Sequence, residues 1–295
     1  TVRGSLYGGG EVGPVGRGSM KDDGGLVNGN AHIYRAGTTN VNMYSGHVLR
    51  NVFGGGRGKD SWGGDGTMYM DQDQVAALDM KSKGYVFGQT RVSIHGGEIG
   101  SEEGMAYGYG NVFGGCDEGT VYSAFVDTDG TTKVGNKSGN RYDGDKEGYY
   151  YNSSDQLTED CKVVVEPYAQ TTGAVTLDKA YASGAYVPIS VLNTLGNRNS
   201  DTRWQYFDPS GVIIHNAVFA GGNIAEGSSS LYANATTVYG NATASIHDVY
   251  NRDLITIGTG HTGGLYGDGN LTFVDGYREL NITNYGTDYF HIAPS

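Results

Sequence analysis

The chain has 295 residues, among them 51 glycines, 5 prolines, 23 tyrosines and 2 cysteines. Glycine at this level, without a three-residue period and with so little proline, excludes collagen, while abundant tyrosine and alternating Val, Ile and Leu exclude a disordered chain. A net charge of −12 with only 20 Lys and Arg leaves no basic stripe for nucleic acid, and no apolar run reaches the ~18 residues of a membrane-spanning helix.

The first element to appear is one that returns. "SLYGGGEVG" (5–13), "NVFGGGRG" (51–58), "NVFGGCDEG" (111–119), "AVFAGGNIAEG" (217–227) and "GLYGDGNLT" (264–272) each place an aliphatic residue, an aromatic one and then small residues. The aromatic positions are Tyr7, Phe53, Phe113, Phe219 and Tyr266. The glycines do not make a phosphate loop: after "GGGRG" come Lys59 and Asp60, where such a loop needs Lys followed by Ser or Thr and then a helix.

A second element accompanies most copies: "TNVNMYSGHV" (39–48), "TRVSIHGGEI" (90–99), "GVIIHNAV" (211–218), "TASIHDVY" (243–250) and "ELNITNYG" (279–286). Val41/Met43, Val92/Ile94, Val212/Ile214, Ala244/Ile246 and Leu280/Ile282 lie two apart, so each pair points to one face of a strand. Polar Asn42, Ser93, Ser245 and Asn281 between them predict an opposite, wet face. His95, His215 and His247 each follow the second inward residue. Tyr44 in the same slot makes this an aromatic surface column, with a metal-binding column as the weaker reading.

Strand, glycine corner and strand again, five times over, predict an all-β chain folded as a right-handed parallel β-solenoid. Short strands with turns between them also suit an antiparallel β-sandwich, the alternative fold. Solenoid is expected over 1–119 and 206–295, with 120–205 projecting as an inserted, Tyr-rich β and loop region. "GNVFGG" preceded by "TRVSIHGGEIG" resembles the glycine-rich VFGGG repeats of large surface proteins of gut Bacteroidetes. That resemblance implies an extracellular, bacterial cell-surface location and a structural or adhesive role, and it brings no catalytic residues. Thr1 stands almost directly before "SLYGGG", which suggests a chain cut from something longer. Further solenoid, another domain or a partner chain is expected to cover at least one end.

The interruption concentrates candidate binding residues. Tyr142, Tyr149, Tyr150, Tyr151, Tyr168, Tyr181 and Tyr186 offer flat apolar rings with polar tips, suited to stacking on sugars or contacting protein. Asp127, Asp129, Asp143 and Asp145 lie in turns and read first as solvated carboxylates; their hard oxygens also suit calcium, although their spacing is not that of an EF-hand. Asp71 and Asp73 read as solvated carboxylates. Cys116 and Cys161 are a candidate disulfide or two buried thiols; a bridge would close a loop of roughly 45 residues and add about 3–4 kcal/mol.

The function expected is non-enzymatic: a structural or adhesive module of a secreted or surface protein, binding a host or microbial glycan or protein. A β-helical polysaccharide lyase or hydrolase is one alternative; it requires a groove with paired carboxylates and a base nearby. A subunit of an extracellular fibre or secretion assembly is the other. No catalytic residues and no cofactor other than calcium are indicated.

Overall fold

The computed structural model describes residues 1–11, 13–20, 24–29, 31–58, 84–139, 148–195, 200–223, 237–248, 254–259, 263–270 and 272–284. The chain is all-β, with a few short helical turns, and its main sheets are parallel. Successive passes of chain lay parallel strands on shared faces, five on each of the first two and four on the third. One face carries Leu6–Tyr7, Val52–Phe53, Val112–Phe113, Ala217–Phe219 and Gly264–Tyr266, paired in parallel in that order. A second face carries the longer strands Gly37–Met43, Val86–Ile94, Cys161–Val165, Ala242–Asp248 and Arg278–Asn284. A third carries His47–Val48, Gly97–Ile99, Val212–Ile214 and Ile255–Ile257. The start of Val86–Ile94 also pairs with Val121–Tyr122, which continues to Thr237–Tyr239 and Phe273–Val274.

In-register pairing turns the sequence motif into columns. Tyr7, Phe53, Phe113, Phe219 and Tyr266 stack ring on ring, with centroids 5.0, 4.8, 4.8 and 4.7 Å apart and planes within 11° of parallel. Just before the rings, Asn51 and Asn111 close the corner: Asn111 N donates to Asn51 Oδ1, and Ala217 N to Asn111 Oδ1. Just after the rings, a Cβ on Gly54 would overlap the Gly114 carbonyl, and one on Gly114 the Ala220 carbonyl. Close approach between passes therefore keeps the "VFGG" glycines small. At Gly88, by contrast, φ is +150° and a Cβ would meet the Gly37 carbonyl, so both backbone shape and space demand glycine.

Inward residues of the second face form two further columns, Val41–Val92–Val163–Ala244–Leu280 and Met43–Ile94–Val165–Ile246–Ile282. Apart from Leu280 and Ile282, which are exposed, they join Val52, Val112, Val218, Ile99, Ile214 and Ile257 in one core. Each fully buried Val or Ile there is worth about 1.5–3 kcal/mol. Val212 and Ile214, grouped with the long strands on sequence, lie on the third face; the third-pass place on the second face belongs to Val163 and Val165. Residues 120–205 accordingly contribute Val121–Tyr122 and Cys161–Val165 to the body. What departs from it is the pair of antiparallel ribbons within 124–151, and the segment 168–209 with its own small core of Ala169, Val187, Leu192 and Phe207. A third departure, the antiparallel sheet of Arg17–Ser19, Leu26–Asn28 and Ala31–Arg35, falls inside the expected first stretch of solenoid.

Cys116 and Cys161 do not form a disulfide; both are free, fully buried thiols in the main core. The Cys116 sulfur occupies the space over Gly55, where a Cβ would meet it. Burial pushes the Cys116 thiol up to about 12 and raises that of Cys161 as well, which keeps both protonated and unreactive.

Candidate functional site

Alternation that sends Val and Ile inward sends polar side chains outward on the second face. Register sets Asn40, Arg91, Lys162, Thr243 and Glu279 in one row, and Asn42, Ser93, Val164, Ser245 and Asn281 in the next. This surface is rigid because each strand is hydrogen-bonded to its neighbours and anchored by the buried columns beneath.

At the end where these strands begin, the outward face meets a groove of about 620 Å³ lined by Thr38, Gln89, Arg91, Phe125, Asn152, Gln156, Leu157 and Glu159. Its far wall comes from the projecting ribbon, where Val126 is 61% exposed, and from the stretch after it, where Leu157 is 39% exposed. Among the described lining residues Glu159 is the one carboxylate. Its two oxygens are shared between Lys162 Nζ at 2.5 Å and Arg91 Nη1 at 3.3 Å. Arg91 Nη2 also donates to Gln89 Oε1 at 3.4 Å. Side-chain amides, an Arg–Glu–Lys set with one positive charge in excess, and apolar patches lie side by side.

Directly behind the groove, Asp160 is fully buried. Its carboxylate accepts from Ser123 Oγ at 2.6 Å, Thr158 Oγ1 at 2.5 Å and the Asn241 backbone N–H at 2.8 Å. Burial outweighs these donors and pushes the Asp160 carboxyl up to about 6. Its role is to tie the wall of the groove to the fourth pass.

At the opposite end of the same strands sits an aromatic cluster. Tyr44 stacks on His95 with centroids 4.9 Å apart and packs against Tyr186 at 4.7 Å, while His95 meets Tyr168 at 3.9 Å. His95 Nδ1 lies 2.9 Å from the Glu166 carbonyl, so that nitrogen carries the proton, and burial holds the ring below the ordinary histidine range. Tyr186 is 39% exposed and forms the open edge of the cluster.

The tyrosines singled out on sequence are thus dispersed rather than gathered at one site. Tyr168 and Tyr186 join this cluster. Tyr150 is buried and donates to Asp275 Oδ2 at 3.2 Å, Tyr149 packs on Tyr277, and Tyr151 lies in the strand beside Tyr150. Tyr181 donates to Asp178 at 3.2 Å under Lys179. Asp127 and Asp129 accept from Thr128, Thr131 and Ser153, capping their own turn, and no cluster of three metal-ligating side chains occurs among the described residues. Tyr142, Asp143 and Asp145 lie outside the described residues, as do Lys59, Asp60, Asp71 and Asp73.

The histidine column is also divided. Glu166 takes the place between His95 and His247 on the second face, whereas His215 stands at the end of a third-face strand, bonded to Glu98 Oε1 at 2.7 Å and Thr259 Oγ1 at 2.6 Å.

Sequence reasoning missed Gln89, Arg91, Asn152, Gln156 and Glu159. The outward phase of "TRVSI" was the available signal for Arg91, but nothing local links it to Glu159. No helix among the described residues is long and apolar enough to cross a membrane. The chain matches no protein-family model, no curated protein and no solved structure.

Proposed function

We propose that the chain is a right-handed parallel β-solenoid with projecting segments, acting as a non-enzymatic adhesive module of a large extracellular bacterial surface protein. Parallel pairing of successive passes, five strands deep on two faces and four on the third, supports the solenoid over the sandwich. The VFGGG-type motif supports the surface setting. Its ligand in this reading is a glycan, held in the groove beside the second face.

The observation that carries the proposal is the groove's lining: the amides of Gln89, Asn152 and Gln156 around Arg91 and Glu159, with apolar patches alongside. Amides and guanidinium groups match the donor and acceptor pairs of sugar hydroxyls, and the apolar patches match sugar faces. Both Glu159 oxygens are engaged by cations, a set that orients a ligand rather than cleaves it.

Glycan-array binding of the chain tests this. Retention of one or more glycans is expected, with loss of about tenfold or more in affinity for Gln89→Ala/Arg91→Ala at an unchanged melting temperature. Failure to retain any glycan, or release of shortened products from a retained one, overturns the proposal.

A further inference from the structure

The groove does not stop at Thr38. A second concavity of about 650 Å³ shares that residue and continues past Gly37 and Ala36 to Arg35, Tyr34 and Arg17. Arg17 and Arg35 are direct partners across the antiparallel pair formed by Arg17–Ser19 and Ala31–Arg35. Like charges placed opposite each other in this way repel and weaken the pairing. Neither guanidinium has a carboxylate partner among the described residues; Arg17 lies 5.6 Å from the centre of the Tyr34 ring, and both arginines are exposed. Among the described lining residues of the two concavities, three cations, Arg17, Arg35 and Arg91, stand against the one carboxylate of Glu159, which Lys162 also engages from beside the groove. In a chain of net charge −12 with 20 Lys and Arg, such a local excess is contrary to the overall balance.

From this we infer that the glycan is anionic, and that Arg17 and Arg35 hold its acid groups while the Gln89 to Gln156 stretch takes neutral parts of the same chain. The inference rests on the glycan-binding reading above. Arginine presents a planar pair of N–H donors that fits carboxylate or sulfate bidentately, and an acid group seated between the two removes their mutual repulsion. The third departure from the body, at 17–35, then serves as the acid-reading end of the groove, reached by the ligand across Thr38. Thr132 Oγ1 accepts from the Ala36 amide at 3.2 Å, which fixes this segment to the ribbon forming the far wall.

The test is affinity electrophoresis of the full chain in gels holding polygalacturonate (carboxylate only), chondroitin sulfate (carboxylate and sulfate), dextran sulfate (sulfate only) or neutral galactan, with double-stranded DNA as a further polyanion. Retardation by at least one acidic glycan is expected, stronger than by galactan or DNA and falling as salt rises. Arg17→Ala/Arg35→Ala should weaken it about tenfold or more with unchanged circular dichroism and melting temperature, while Lys179→Ala, outside the groove, leaves it unchanged. The carboxylate-only and sulfate-only arms decide which acid is read. Retention by galactan alone, acidic-glycan binding indifferent to the double variant, or equal retention by DNA overturns this inference and leaves the glycan-binding reading standing. Failure of every acidic glycan likewise overturns this inference, and failure on the glycan array as well overturns both.

Discussion

Asp160 is the residue at which burial and ionisation conflict most directly. Enclosure raises its carboxyl to about 6 from an ordinary 3.8, although Ser123, Thr158 and the Asn241 backbone N–H all donate to it. Between about pH 4 and 6 the folded chain holds a proton that the unfolded chain has released. This group's contribution to stability is therefore largest below pH 4 and declines as pH rises through 6, by roughly 3 kcal/mol in all. Asp160→Asn keeps the geometry: its amide oxygen can accept from Thr158 and Asn241, and its NH2 can donate to Ser123 Oγ, whose own proton then turns to Thr158 Oγ1 at 3.3 Å. Urea unfolding at pH 4, 5, 6 and 7.5 should show the variant gaining on the parent with rising pH, by about 2 kcal/mol across the range. A difference that stays flat with pH would show that Asp160 does not titrate in this window. Nothing in "TEDCKV" distinguishes Asp160 from half-buried Glu159 beside it, because the enclosure comes from Ser123 and Asn241, far away in the chain.

At the scale of the strand, the aromatic column shows how a two-residue pairing becomes a strong element. Leu6–Tyr7 and its four counterparts are short, yet each ring adds stacking worth about 0.5–1.5 kcal/mol to the burial of its own surface. Phe113 has a ring on both sides and is 1% exposed; Tyr266 has one neighbour in the column and is 47% exposed. Phe113→Ala should cost about 3–5 kcal/mol and Tyr266→Ala less than about 1 kcal/mol, measured as the shift in denaturation free energy. Equal losses would mean that stacking within the column contributes little. These rings were legible in the sequence because each stands at a fixed step before small residues. The faces were less so. Alternation in "GVIIHNAV" marks a strand but not which face receives it, and "CKVVVEP" lacks the flanking glycine and histidine that flagged its equivalents.

For the whole molecule, stacking five passes makes stability a sum over neighbours, and the passes in the middle have more of them. Cys161–Val165 is paired on both sides, with Val163 and Val165 fully buried. Leu280 and Ile282, occupying the same columns on the fifth pass, are 41% and 50% exposed. The groove is likewise a property of the assembled passes: Arg17, Arg35, Arg91 and Glu159 come from separate stretches, and no local pattern announces that they share a wall. That is why the sequence placed binding among the insertion's tyrosines, where local composition is distinctive, and overlooked polar residues that only register brings together. Cooperativity should follow the same geometry. Amides of Val163–Val165 are expected to exchange slowest and those of Leu280–Thr283 at least about a hundredfold faster, a difference of roughly 2.7 kcal/mol, as terminal passes open without the centre. Hydrogen exchange read by NMR would decide it: a single shared rate across all five passes would mean that the stack opens only as one unit, and that the projecting segments, bonded to several passes at once, lock it together.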